Sequence, residues 1–76
     1  MQYIILEIHP DDPYFNQKDE FIGKEIKVLK ITNCYKNGVI LTNYKAVEGK
    51  IDNEIYIFYG IKFEVIPEEL KWDSIN

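Results

Sequence analysis

Three side chains able to move protons or hold a metal stand together near the start of the chain. They are His9, Asp11 and Asp12, in a stretch stiffened by Pro10 and Pro13. A metal centre needs three or four ligands converging on one point, with any histidine oriented by a further partner. His9 is the sole histidine, and the other acids are scattered along the chain. The prolines give a simpler reading. Pro10 restricts His9 to extended geometry. Asp12-Pro13 has the order of an N-cap followed by a first helical residue. Asp11 and Asp12 then complement the positive end of a short helix or 3-10 turn. The stretch reads as a stiff, acidic turn that opens a loop over residues 9–23. Asp11, Asp12 and Tyr14 are the residues this loop would offer to a partner, and no metal ligand is assigned.

Other reactive groups stand alone. Cys34 is the single cysteine, so neither an intrachain disulfide nor a cysteine metal cluster is available. A nucleophilic thiol needs a histidine or a cationic setting to lower its pKa, and the expectation here is a structural thiol. Ser74 is the only serine, too isolated for a triad. Gly23, Gly38, Gly49 and Gly60 are dispersed and form no phosphate loop. The sequence therefore predicts no enzyme and implies no cofactor.

The aromatic residues suggest binding instead. In residues 55–59, Tyr56 and Phe58 share one face, and Ile55, Ile57 and Tyr59 the other. The aliphatic pair Ile55 and Ile57 is expected to line the core, leaving Tyr56 and Phe58 outside. There they would meet a partner, together with Trp72, unless the C-terminal stretch with Leu70 and Trp72 covers them.

Charge narrows the partner class. Thirteen acids against nine lysines give a net charge of −4 at pH 7. There is no arginine, the side chain whose planar fork grips phosphates and guanine edges. Duplex DNA is thus an unlikely partner in chemical terms. The lysines are interleaved with acids, the pattern of a solvated surface. Lys24, Lys27 and Lys30 near the aromatic face would make at most a weak single-strand nucleic-acid site.

Seventy-six residues, 46% hydrophobic and 14% aromatic, are enough for one core and place the chain outside the disordered range. A single domain over 1–76 is expected. No apolar run approaches the ~18 residues of a membrane span. The start lacks the features of a secretory signal, so a cytoplasmic setting is expected.

Period-two hydrophobicity dominates the elements that must position these groups. The first strand is expected at 3–8, with Ile4, Leu6 and Ile8 on one face. The second, 24–32, changes its apolar side between Val28 and Leu29, which predicts a β-bulge. Asn37-Gly38 is a hairpin turn leading to a third strand at 39–44. Residues 45–54 read as a polar connection, with turn residues Gly49 and Asp52-Asn53. Two further strands, 55–59 and 61–66, flank Gly60. Pro67 ends the last, and Glu68 and Glu69 would lie in one following helical turn. Five short strands with one long early loop predict an all-β, five-stranded SH3-like barrel with a short C-terminal extension. An OB-like barrel is the alternative.

The stretches EIHPDDPYF, FIGKEIKVLKI and IYIFYGIKFEVI resemble small uncharacterised bacterial and phage proteins over roughly residues 6–66. That resemblance implies an SH3-like barrel and no activity. The functional expectation is a cytoplasmic, non-enzymatic protein-interaction module. The alternative is a nucleic-acid-related role, as a single-strand binder or as an acidic phage-type inhibitor of a nucleic-acid-binding protein. Self-association into a homodimer is a third possibility.

Overall fold

The computed structural model describes residues 2–66. Four antiparallel strands make up most of it: β1 (Gln2–Ile8), β2 (Glu25–Lys36), β3 (Val39–Ile51) and β4 (Glu54–Val65). Each pairs with the next, and β4 pairs back onto β1, so the sheet closes into a ring. A 3-10 turn (Phe15–Gln17) and a one-turn helix, α1 (Lys18–Phe21), lie between β1 and β2. The expectations for Pro67, Glu68, Glu69, Leu70 and Trp72 fall outside the described residues. No helix among the described residues is long and apolar enough to cross a membrane.

The five-stranded SH3-like barrel is corrected to a four-stranded ring, for two local reasons. First, residues 45–51 continue β3 instead of forming a polar connection. Val47, Gly49 and Ile51 alternate inward there, between outward Glu48 and Lys50. The turn is only Asp52-Asn53, both at positive φ (51° and 70°). That matches Asn37-Gly38 (53° and 78°) in the other hairpin, as two-residue type I′ loops require. Second, Gly60 does not interrupt β4. It provides room, because a Cβ there would lie 3.0 Å from His9 Cβ and 3.1 Å from Cys34 Sγ.

Bulges settle which residues face inward. The β1–β4 register shifts between Ile5 and Glu7, so Leu6 is the extra residue. Ile5 and Ile8 consequently point inward and Leu6 is exposed, which corrects the simple alternation expected for this strand. On β2 the register shifts between Val28 and Lys30, where the change of apolar side predicts it. A larger shift follows. Asn33 faces Lys45 but Cys34 faces Leu41, so residues 42–44 of β3 are extra to the β2 ladder.

The strands are strongly staggered. Ile55 faces Lys50, Lys50 faces Lys27, and Lys27 faces Gln2. The Gln2 carbonyl in turn accepts from Ile66 N–H at 3.3 Å. One circuit of the ring thus leaves near one end of β4 and returns at its other end. Such stagger tilts strands steeply against the ring axis, and four long strands then enclose a core. That core consists of Ile5, Ile8, Phe21, Ile26, Val47, Ile51, Phe58 and Ile61. Burying each side chain of this size contributes about 1.5–3 kcal/mol.

Candidate functional site

The His9–Asp12 stretch is fastened down by its own hydrogen bonds. His9 N–H donates to the Gly60 carbonyl at 2.8 Å, prolonging the β1–β4 edge by one bond. Asp11 N–H donates to His9 Nδ1 at 3.0 Å. The His9 ring meets Tyr44 edge-on at 4.8 Å, Tyr44 being one of the β3 residues extra to the β2 ladder.

Asp12 is 6% exposed and is the one buried charged residue among those described. Its Oδ1 accepts from Tyr14 N–H at 2.8 Å, an Asx turn. Its Oδ2 accepts from Tyr59 N–H at 2.7 Å and Gly60 N–H at 2.9 Å. These two donors sit where the β3–β4 register slips between Lys45 and Val47, so the sheet gives them no ordinary partner. Asp12 is therefore an internal acceptor for a bulge and presents nothing to a partner. The expected N-cap also shifts: the 3-10 turn begins at Phe15 with Tyr14 before it, and Pro13 is not a first helical residue.

Asp11 is exposed and bonds Lys36 Nζ at 2.7 Å, tying the β2–β3 hairpin to the loop. The hydrogen bond from Lys36, reinforced by its charge, lowers the Asp11 carboxyl below the ordinary value. Under this tie lies a cavity of about 90 Å³ lined by His9, Asp12, Cys34, Leu41, Tyr59 and Gly60. Burial raises the Cys34 thiol above its ordinary value, and the charge of Asp12 raises it further. A thiol held protonated is a poor nucleophile. No group of three His, Cys, Asp or Glu side chains able to hold a metal occurs among the described residues.

The aromatic residues pack inward, opposite to expectation. Phe58 is fully buried, whereas Ile55 and Ile57 are 58% and 52% exposed. Phe58 pairs with Val47 and shares its inward face. Aliphatic content gave the wrong face because the interior must also hold Phe21 and Tyr14. Tyr14, Phe21, Tyr56 and Phe58 form a cluster with ring centroids 5.1–6.2 Å apart. Tyr56 is half-buried, and its hydroxyl donates to Glu54 at 2.8 Å. That bond, with burial second, raises the Tyr56 hydroxyl above its ordinary value. Of the residues expected to meet a partner, only Asp11 is well exposed. Tyr14 and Tyr56 are half-buried, Asp12 and Phe58 are interior, and Trp72 lies outside the described residues.

The surface that the sequence reading missed is the outer face of β2, β3 and β4. Ile55, Ile57 and Tyr59 alternate outward along β4, with Tyr59 61% exposed. Beside them runs an open groove of about 790 Å³, lined among others by Lys30, Ile31, Tyr35, Glu48, Ile57 and Tyr59. Tyr35 is 62% exposed; Ile31, 43% exposed, faces the inward Val47 across the β2–β3 ladder. Across this face Lys27 stands directly opposite Lys50, and Lys30 opposite Glu48. The period-two pattern of residues 55–59 was the available clue, and its phase was assigned the wrong way round.

No family model, curated protein or solved structure matches the chain. With four strands in place of five, this corrects the expected kinship with small bacterial and phage SH3-like proteins.

Proposed function

We propose that the protein is a non-enzymatic interaction module that docks a protein partner on the outer face of β2, β3 and β4. The observation that carries this reading is the run of Ile55, Ile57 and Tyr59, each more than half exposed, beside the groove that Ile57, Tyr59 and the exposed Tyr35 line. Large apolar side chains gathered on one face, with charged groups around them, characterise interaction surfaces.

The other roles draw less support. Single-strand binding relies on bases stacking on exposed aromatic rings; Phe58 is interior and Tyr56 half-buried, and the exposed rings of Tyr35 and Tyr59 stand among exposed isoleucines instead of in a continuous aromatic platform. Acidic mimicry requires clustered acids free of counter-charges. Asp11, Glu7 and Asp52 each pair with a lysine and Asp12 is buried, whereas Asp19, Glu20, Glu25, Glu48, Glu54 and Glu64 have no ion pair among the described residues and are spread over α1 and three strands. For an enzyme, the cavity at Cys34 is small and its thiol is held protonated. The free thiol needs no oxidising compartment, which suits a cytoplasmic setting.

The test is affinity capture from host lysate with the full chain and an Ile55→Ser/Ile57→Ser variant, after circular dichroism shows that both fold. A partner retained by the natural chain and lost by the variant is the expected result. Identical captured sets would remove this face from consideration.

A further inference from the structure

We infer that the partner segment received by this face is acidic as well as apolar, with its carboxylates seated on Lys27 and Lys50. The inference rests on the docking face proposed above and adds the chemistry of its occupant.

The argument begins with register. Lys27 and Lys50 are directly opposed cross-strand partners, and both are exposed. Like charges in that position repel each other and destabilise the sheet. Neither lysine takes part in an ion pair or side-chain hydrogen bond among the described residues. Lys18, Lys24, Lys36, Lys45 and Lys62 each have a partner: the Phe15 ring, Asp52, Asp11, Asn33 and Glu7 respectively. Lys30 likewise has none, but it faces Glu48; Lys27 and Lys50 are the ones of these three that oppose a like charge, in a chain of net charge −4. An anionic group placed between them relieves their repulsion, a gain made only in the complex.

The apolar half of the recognition adjoins them. Lys50 also faces Ile55 on β4, so Lys27, Lys50 and Ile55 form one row across three strands. Neighbouring strands lie about 4.8 Å apart, so a carboxylate on the lysines sits within one or two residues' reach of an aliphatic contact on Ile55. The following row, Lys30, Glu48 and Ile57, is balanced in charge. It fixes where the acid belongs: against the Lys27–Lys50 row. The apolar side chain in the lysine row is Ile55, which has no π face on which a base can stack; the exposed ring of Tyr59 lies four residues further along β4. The same cations therefore favour a polypeptide carboxylate over a nucleic-acid phosphate.

The probe is a short labelled peptide built on the repeat Leu-Glu-Glu-Ile, with versions carrying serine or lysine in place of glutamate, and a short oligothymidine. Binding to the full chain is read by fluorescence anisotropy, beside sedimentation of the protein alone. The glutamate peptide should bind at least roughly ten-fold more tightly than the lysine version and weaken as salt rises. Lys27→Ser/Lys50→Ser and Ile57→Ser should each abolish that preference or the binding itself. If the serine or lysine peptide binds equally well and only Ile57→Ser removes it, the docking face stands and the acidic occupant is wrong. Oligothymidine binding that depends on Lys27 and Lys50, without peptide binding, would overturn the inference in favour of nucleic acid. A dimer dispersed by Ile57→Ser, with no peptide bound, would make the occupant a second copy. No binding by any probe to a monomeric protein would remove both the occupant and the face.

Discussion

Replacing Asp12 should damage the fold far more than replacing its neighbour Asp11, although both belong to one acidic turn. Asp12 is 6% exposed and accepts three backbone N–H groups, from Tyr14, Tyr59 and Gly60. Hydrogen bonds to a charged group contribute about 1.5–3 kcal/mol each, and a buried donor left unpaired costs about 1–3 kcal/mol. Water can reach the part-buried Tyr14 and Tyr59 N–H groups more readily than Gly60 N–H, which is buried. The loss in Asp12→Ala is therefore heaviest at Gly60 and amounts in all to roughly 3–5 kcal/mol. A 76-residue domain has in all about 4–11 kcal/mol, at ~0.05–0.15 kcal/mol per residue. Asp12→Ala should thus lie near the unfolding threshold. Asp12→Asn is the sharper probe because it keeps the volume. Its single amide oxygen can serve the Asx turn or the bulge pair, and its NH₂ group must then face a donor. It should still lose roughly 2–3 kcal/mol, whereas Asp11→Asn, removing an exposed and screened ion pair, should lose much less. Urea unfolding reads the differences as midpoint shifts at constant m. Amide exchange at Tyr59 and Gly60 should quicken selectively in Asp12→Asn. Were Asp12→Asn and Asp11→Asn equally stable, the acceptor role assigned to Asp12 would be refuted.

Four further outcomes follow from the geometry. Gly49→Ala should destabilise by about 1–3 kcal/mol in denaturant titration, because its Cβ would lie 2.6 Å from Ile26 Cγ1 and 2.9 Å from the Lys27 carbonyl; unchanged stability would mean that Ile26 repacks freely. Gly60→Ala should destabilise through His9 Cβ and Cys34 Sγ, and its effect should shrink in a Cys34→Ala background, so strict additivity would contradict the contact. The Asp11–Lys36 tie should be fully present above the ordinary Asp value of 3.8 and fade as pH falls through the lower value Asp11 has in the fold. The stability gap between wild type and Lys36→Met should accordingly close in acid, and a gap persisting there would refute the pairing. Iodoacetamide should alkylate Cys34 more slowly in the folded protein than in urea, burial having raised its thiol above the ordinary 9.0 with the Asp12 charge adding to it; equal rates would show that the cavity is open.

Much of the fold was legible where the deciding cause is local. Asn37-Gly38 specifies its hairpin through the backbone freedom of those two residues, and the change of apolar side after Val28 identifies a bulge. Failures came where a non-local contact decides. Gly60 resembles a break until His9 and Cys34 are seen packed against it. Val47, Gly49 and Ile51 already alternate, but charges interleaved with a glycine disguise them as a connection; Gly49 is small because Ile26 fills its place. Within the candidate site, the turn-forming role of Asp12 could be read from the following proline. Its two bonds to β4 could not, since they span 47 and 48 positions of sequence.

The exposed isoleucines have a cause in the ring itself. Four steeply staggered strands enclose few inward positions, and those are filled by Phe58, Phe21 and the aliphatic residues around them. A chain that is 46% hydrophobic must therefore place some large apolar side chains outside, and isolated ones such as Leu6 need no function. A surplus alone would be indifferent to charge. Here, however, Ile55 completes the row in which two lysines oppose each other with no counter-ion among the described residues. Two separate penalties, apolar exposure and like-charge opposition, thus coincide on one patch. A single partner bearing a carboxylate beside an apolar group relieves both at once, which makes this patch a stronger docking candidate than the acidic turn that first draws attention.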